Sequence, residues 1–341
     1  MLKRFFLFFF SSLCLHSFAQ ETFPVNGVVT EFEPIYAFIN AHIVSPDKEI
    51  VNGILLIQGN KILEADTVVQ IPTGAIEKDL KGDYIYASFI DLNTQYGLPK
   101  TAEREHSNRP QYTSKKEGAF HWNQAIHPEI IAANSFSNNK KAKDFRSIGF
   151  GTVLTHHKDG IARGTGCLVL LSEEKEHQNI LIKNAAAHYS FSKGNSSQKY
   201  PTSLMGSIAL LRQTYLDAEW YSQGVEDINY SFEAFNSQQD LPQIFQVKDA
   251  FDISRIYKIA DEFEVDYIII GNGDEYKQLD IIKQTDFSFI LPLNFPESYE
   301  VSNPEEAENI TLEQLKHWES APFNPLILAK NDISFSFTIF T

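Results

Sequence analysis

Seven short apolar runs, separated by stretches long enough for helices, constrain this chain more than any other feature: YIYASFIDL, GFGTVLTHH, GCLVLL, PQIFQV, VDYIIIG, FSFILPL and ISFSFTIF. Most lack the polar/apolar alternation of a strand with one wet face, so they read as strands buried on both sides, which is the habit of parallel sheets. Segments 203–221, 252–263, 274–284 and 311–319 between them carry apolar residues at helical spacing. Strand, helix, strand repetition of this kind predicts a parallel sheet covered by helices, and an α/β barrel is the architecture that accommodates it best. Hydrophobic residues make up 43% of the 341, enough to bury such a core.

The region before it obeys another rhythm. Between residues 36 and 80, YAFINAHIV, GILLIQGNKILEA, VVQIP and AIEKDL are punctuated by Gly53, Gly59-Asn60, Pro72-Thr73-Gly74 and Lys81-Gly82, where hairpin turns would fall. This is a small β-unit, too small to close a sandwich alone, so it is expected to complete itself elsewhere.

The first residues, MLKRFFLFFFSSLCLHSFAQ, put Lys3 and Arg4 before an apolar run ending in Ser17-Phe18-Ala19, the pattern of an export signal cleaved near Ala19 or Gln20. The run is shorter than the ~20 residues of a spanning helix and is interrupted by Ser11, Ser12 and His16, so no stable membrane anchor is expected. Export to the periplasm or the outside follows. Cys14 falls in the signal and lacks the small neighbour that lipidation needs. Cys167 is then the remaining thiol, which leaves no internal disulfide and no cysteine metal cluster, and its CLVLL context suits a buried, inert group. A net charge of -15 without a block of Lys and Arg disfavours nucleic acid.

Ordered motifs over residues 39–97 carry a resemblance. INAHIVSPDKEIVNGILLIQGNKILEA, followed by IPTGAIEKDLKGDYIYASFIDLNTQYG, resembles the opening of the amidohydrolase family, in particular its imidazolonepropionase-like branch. SIGFGTVLTHHKDGIARGTG resembles the second barrel strand and its loop, and SLMGSIALLRQTYLDAEWY, LPLNFP and LKHWESAPFNP resemble an exported bacterial subgroup. The resemblance implies a hydrolase of C–N bonds other than peptide bonds, on a (β/α)8 barrel flanked by a β-sandwich. It also implies one or two divalent ions, zinc or iron, held by a His-x-His pair after strand one, histidines from strands five and six, and an Asp after strand eight. Such an ion makes hydroxide available near neutral pH.

Against that pattern the pair reads Asn93-Thr94-Gln95, and neutral amides bind transition metals far more weakly than imidazole. The fifth-strand histidine is expected where Gly271 or Asn272 stands, FSFILPLNFP has none for strand six, and the chain reaches Thr341 before an Asp. The expectation is therefore an incomplete (β/α)8 barrel over residues 84–341 with a β-sandwich subdomain over 21–83 that lacks its C-terminal strands. No catalytic residue and no cofactor is expected in this chain, which would be inactive alone. The alternative is a binding or supporting domain for a catalytic domain of a longer product, taking a small cyclic amide or peptide-like ligand.

Candidate pocket residues are His156, His157, Asp159 and Arg163, which follow the strand GTVLT on the face where barrel chemistry occurs. Adjacent strand residues point to opposite faces, so the two histidines should not share an ion. Arg163-Gly164-Thr165-Gly166 reads as a tight turn, or as an anion nest with the arginine on a substrate carboxylate. Gly271-Asn272-Gly273-Asp274-Glu275 reads as a strand-to-helix turn whose Asp274 caps the next helix. Trp122, Trp220 and Trp318 read as core residues. The polar stretch 99–146 either walls the pocket or is a surface excursion.

Overall fold

The computed structural model describes residues 33–100, 110–224 and 227–339; the export signal expected over 1–20 lies outside them. The chain divides into two compact units between Ala87 and Ser88.

The first unit is one sheet. Strands β1 (Ile35–Val44), β2 (Glu49–Gln58) and β3 (Lys61–Asp66) form an antiparallel meander, and β4 (Ile76–Asp79) and β5 (Tyr84–Tyr86) both pair with β1 in parallel. Alternation along β2 sends Leu55 and Leu56 into separate apolar clusters, one with Ala41, Ile43 and Ile50 and the other with Ala37 and Val69. Two differences from the sequence reading stand out. The described residues hold a single five-stranded sheet, not the two packed layers of a sandwich. And Tyr84–Tyr86 belongs here and not to the barrel, because it extends the edge of β1.

The second unit is an eight-stranded sheet in the order β13-β12-β11-β10-β9-β8-β7-β6. Its strands are β6 (Phe89–Thr94), β7 (Phe150–Thr155), β8 (Ala162–Leu170), β9 (Ile180–Ser190), β10 (Gln243–Gln246), β11 (Tyr267–Ile270), β12 (Ser288–Pro292) and β13 (Phe335–Thr338). All neighbours are parallel except β8, which is antiparallel to both β7 and β9. The outer strands meet: the Asp91 carboxylate on β6 accepts from the Thr338 hydroxyl at 2.7 Å and from the Ile339 N–H at 3.2 Å. The sequence reading undercounts this sheet because β9, ILIKNAAAHYS, mixes polar with apolar residues and is not among the apolar runs, while GCLVLL belongs to a long strand that returns antiparallel without a helical crossover from β7.

The helices are α1 (Lys141–Ser147), α2 (Glu176–Asn179), α3 (Leu204–Ser222), α4 (Tyr230–Ser237), α5 (Phe251–Phe263), α6 (Leu279–Ile282), α7 (Pro304–Glu308), α8 (Leu312–Ser320) and α9 (Asn324–Ala329). Local chemistry sets their ends. The Ser203 hydroxyl caps α3 by accepting from the Gly206 N–H, Thr311 and Gln314 form a capping box on α8, and α5 stops at Glu264 in the left-handed region, φ 54°. Leu210, Leu211 and Tyr215 of α3, Phe235 of α4 and Ile253, Ile256 and Ile259 of α5 pack on Tyr189, Phe245, Tyr267, Ile269 and Phe289 of the strands. On the other face Leu154, Ala186, Ile244, Ile270 and Ile290 form a separate apolar cluster inside the rolled sheet. That two-faced burial is what the unalternating runs encode.

Candidate functional site

Strand periodicity builds the centre. On β9, Ala186 joins the inner cluster while Ala187 and Tyr189 join the outer one, so His188 and Ser190 share the inner side with Ala186. On β10 the same rule pairs Gln246 with Ile244, and the register sets Gln246 beside Ser190. His156 follows the last residue of β7, two positions beyond the inner Leu154. These groups gather at the C-terminal ends of the parallel strands, where barrel sites are built.

His156 and His188 stack with ring centroids 3.7 Å apart and planes 4° from parallel. His156 Nε2 lies 3.1 Å from Asn93 Oδ1, and its Nδ1 lies 3.1 Å from the His157 carbonyl. Neither nitrogen of His188 has a protein hydrogen-bond partner, and a Cβ on Gly166 would come within 2.5 Å of its Nε2. An unpartnered buried polar group costs about 1–3 kcal/mol. Burial drives both rings toward the neutral form, with Arg163 acting in the same direction: His156 lies well below the usual imidazole range and His188 is lowered to about 3.

Arg163, 5% exposed, holds the floor beside them. Its Nε donates to the Gly160 carbonyl at 3.1 Å, one terminal nitrogen to Gln246 Oε1 at 2.7 Å and the other to the Ser190 hydroxyl at 2.9 Å. All three acceptors are neutral. Burial lowers its pKa to about 10, with Asp159 opposing, so the guanidinium stays charged at neutral pH. A buried cation on neutral acceptors keeps an unmet demand for negative charge.

The four residues expected in a pocket separate. His156 and Arg163 reach the centre. His157 is half-buried with Nε2 3.0 Å from the Ser135 hydroxyl, and Asp159 accepts from the Asn195 N–H at 2.6 Å. Asn93 is buried at the centre, whereas Gln95 is exposed beyond the end of β6. The two do not act as a pair, because the β6–β7 register breaks between Asp91 and Thr94, and Leu92 also packs on the inner cluster.

Other expectations are corrected. Arg163-Gly164-Thr165-Gly166 is not a turn but part of β8, with an irregular register where Gly164 takes φ 81° and the Ile130 carbonyl fills the place of a side chain. Gly271-Asn272 follows β11, which is sixth around the sheet counted from β6, so the fifth place belongs to β10 and Gln246. Asp274 does not cap its own helix; its carboxylate accepts from the Ala250 N–H at 3.0 Å, ahead of α5. The loop folds instead around Glu275, which accepts from the Asn272 and Gly273 N–H groups and from Asn324. Trp122, Trp220 and Trp318 are 50%, 58% and 44% exposed, on separate elements. His188, Ser190 and Gln246 went unremarked in the sequence, although the period-two spacing of AHYS after a run of alanines could have marked His188 and Ser190 as inner residues.

The centre does not suit a divalent ion. An imidazole binds metal in its ring plane, so two rings stacked 3.7 Å apart and nearly parallel cannot both aim at one ion. The Arg163 guanidinium adds repulsion. Beside the centre opens a cavity of about 1700 Å³ whose wall includes Arg163, Ser190 and Gln246, together with Gln111, Tyr112 and Thr113 from the 99–146 stretch. Part of that stretch therefore walls a pocket.

No family model and no curated protein matches the sequence. The fold is similar to the crystal structure of an amidohydrolase from Thermotoga maritima MSB8, with a TM-score of 0.64 over 89% of this chain and 78% of that one, at 16% sequence identity. A prolidase complexed with N-methylphosphonate-L-proline matches at a TM-score of 0.42 and 13% identity, over 89% of this chain and 78% of that one. The first likeness establishes the fold as the mixed α/β barrel type found in that amidohydrolase. Among the described residues, no helix is long and apolar enough to cross a membrane.

Proposed function

We propose that this chain is an amidohydrolase-family barrel of the imidazolonepropionase-like, exported kind that binds a small ligand without hydrolysing it. The observation that carries the reading is the centre itself: Asn93, the stacked His156 and His188, and Arg163 occupy the mouth of the sheet with neutral amide, neutral imidazole and a cation. None of these groups offers a convergent set of lone pairs to a divalent ion, and none is a carboxylate poised to take a proton from water. The motif order over residues 39–97 supports the family, and the cavity supports binding. In this reading the chain is a binding or supporting domain, its ligand a small cyclic amide or peptide-like compound, and its partner a catalytic domain of a longer exported product.

Metal analysis after purification, with a hydrolysis assay on cyclic amides in added zinc, iron and manganese, tests this. We expect less than stoichiometric metal and no turnover. One tightly held ion per chain together with turnover would overturn it.

A further inference from the structure

We infer that the cavity beside Arg163 takes a small ligand bearing two or more anionic oxygens, a phosphate ester or a polycarboxylate. This rests on reading the cavity as a ligand site and adds the ligand's charge.

The first support is a reversal of charge. Acidic residues outnumber basic ones 44 to 29 in the chain, yet among the described residues the eight charged ones on the cavity wall include six basic ones: Lys115, Arg163, Lys193, Lys199, Lys248 and Arg255. The two acids, Asp249 and Asp252, are engaged by Arg255 at 3.9 and 2.9 Å, which leaves that part of the wall with one net negative charge. Among the described residues of the wall, six cations against two acids leave a net charge of +4, and like charges held around one concavity are relieved when an anion enters.

The second support is depth. Arg163 is buried at the floor and donates three hydrogen bonds to neutral oxygens; a guanidinium has five N–H donors, so two remain for a planar carboxylate or phosphate. Lys199 and Lys248 are exposed on the wall, and among the described residues neither ammonium forms an ion pair. A ligand with one anionic group at the floor and another at the rim satisfies both levels. The wall also takes in Ser203 and Leu204, the start of the 19-residue helix α3, whose N-terminal dipole favours negative charge independently.

The test is isothermal titration of the whole chain with glycerol phosphate and pyrophosphate, with citrate and succinate, and with a neutral cyclic amide and a neutral dipeptide amide. We expect an anionic probe to bind, and its affinity to fall roughly tenfold between about 20 mM and about 200 mM salt. The double variant Lys199→Gln/Lys248→Gln should weaken that binding at least about fivefold with an unchanged thermal midpoint, a readout that stands even if Arg163→Gln fails to fold. Tighter binding of the phosphates or of the carboxylates identifies the source of the anionic oxygens. Binding of a neutral probe alone would overturn the charge inference and leave the binding function standing. Binding of no probe would overturn both, and anion binding indifferent to salt and to the lysine variants would place the anion elsewhere and overturn the inference.

Discussion

The Thr338 hydroxyl donates to Asp91 Oδ1 at 2.7 Å, joining positions 247 residues apart and bringing the last described strand against the first of the rolled sheet. The same carboxylate accepts from the Asn93 N–H at 2.9 Å and from the Ile339 N–H at 3.2 Å. One buried acid thus holds the seam and the Asn93 backbone together.

Asp91→Ala should therefore cost about 3 kcal/mol or more, since it strands several donors in a buried seam. Urea unfolding measures it. Wild-type stability in the variant would mean that the seam does not contribute.

Gly164→Ala should be more damaging than its size suggests. A side chain there meets the Ile130 carbonyl oxygen, in a backbone conformation with φ 81°. A loss of about 2–4 kcal/mol, or failure to express as a folded chain, is expected from the clash added to the left-handed strain. Gly74→Ala, at φ 90° but with open space around it, is the control and should lose only about 1 kcal/mol.

Restoring imidazoles by Asn93→His and Gln95→His should give loose zinc binding and no hydrolysis. Position 93 lies against His156, but position 95 is exposed past the strand end, so the new pair has no preformed geometry. Zinc titration and a cyclic-amide assay read the two outcomes; turnover would reveal a base and ligand set other than those described.

Acid should destabilise the chain from about pH 6.5 downward. His188 is lowered from 6.5 to about 3 by burial, with Arg163 and Lys158 adding to it. The unfolded chain then takes up a proton on this residue between those values while the folded chain does not, so stability is complete above 6.5 and falls with pH by up to about 1.4 kcal/mol per unit for this group. His188→Asn should flatten the slope by up to one proton in that window, measured by urea unfolding at stepped pH. An unchanged slope would mean that His188 protonates freely in the folded state.

The sequence alone specified most of the strands and several of the helices of the second unit. Runs such as VDYIIIG and FSFILPL could only be strands covered on both faces, because their apolar side chains alternate between an inner and an outer core. Apolar spacing over 203–221 and 311–319 marked α3 and α8, and their Ser203 and Thr311 caps are local chemistry that the structure adds. Two of the residues at the centre, His156 and Arg163, were also legible. What local pattern could not convey was how distant strands meet. The presence of β9, which the sequence reading does not count, shifts the count of strands, so the fifth place belongs to Gln246 and not to Gly271. The register break after Asp91 separates Asn93 from Gln95, and the stack of His156 on His188 depends on the lateral order of β7, β8 and β9. Period and capping are properties of a few neighbouring residues, whereas register, strand order and the burial of a charge such as Arg163 exist only once segments remote in sequence have packed, and there the tertiary structure decided.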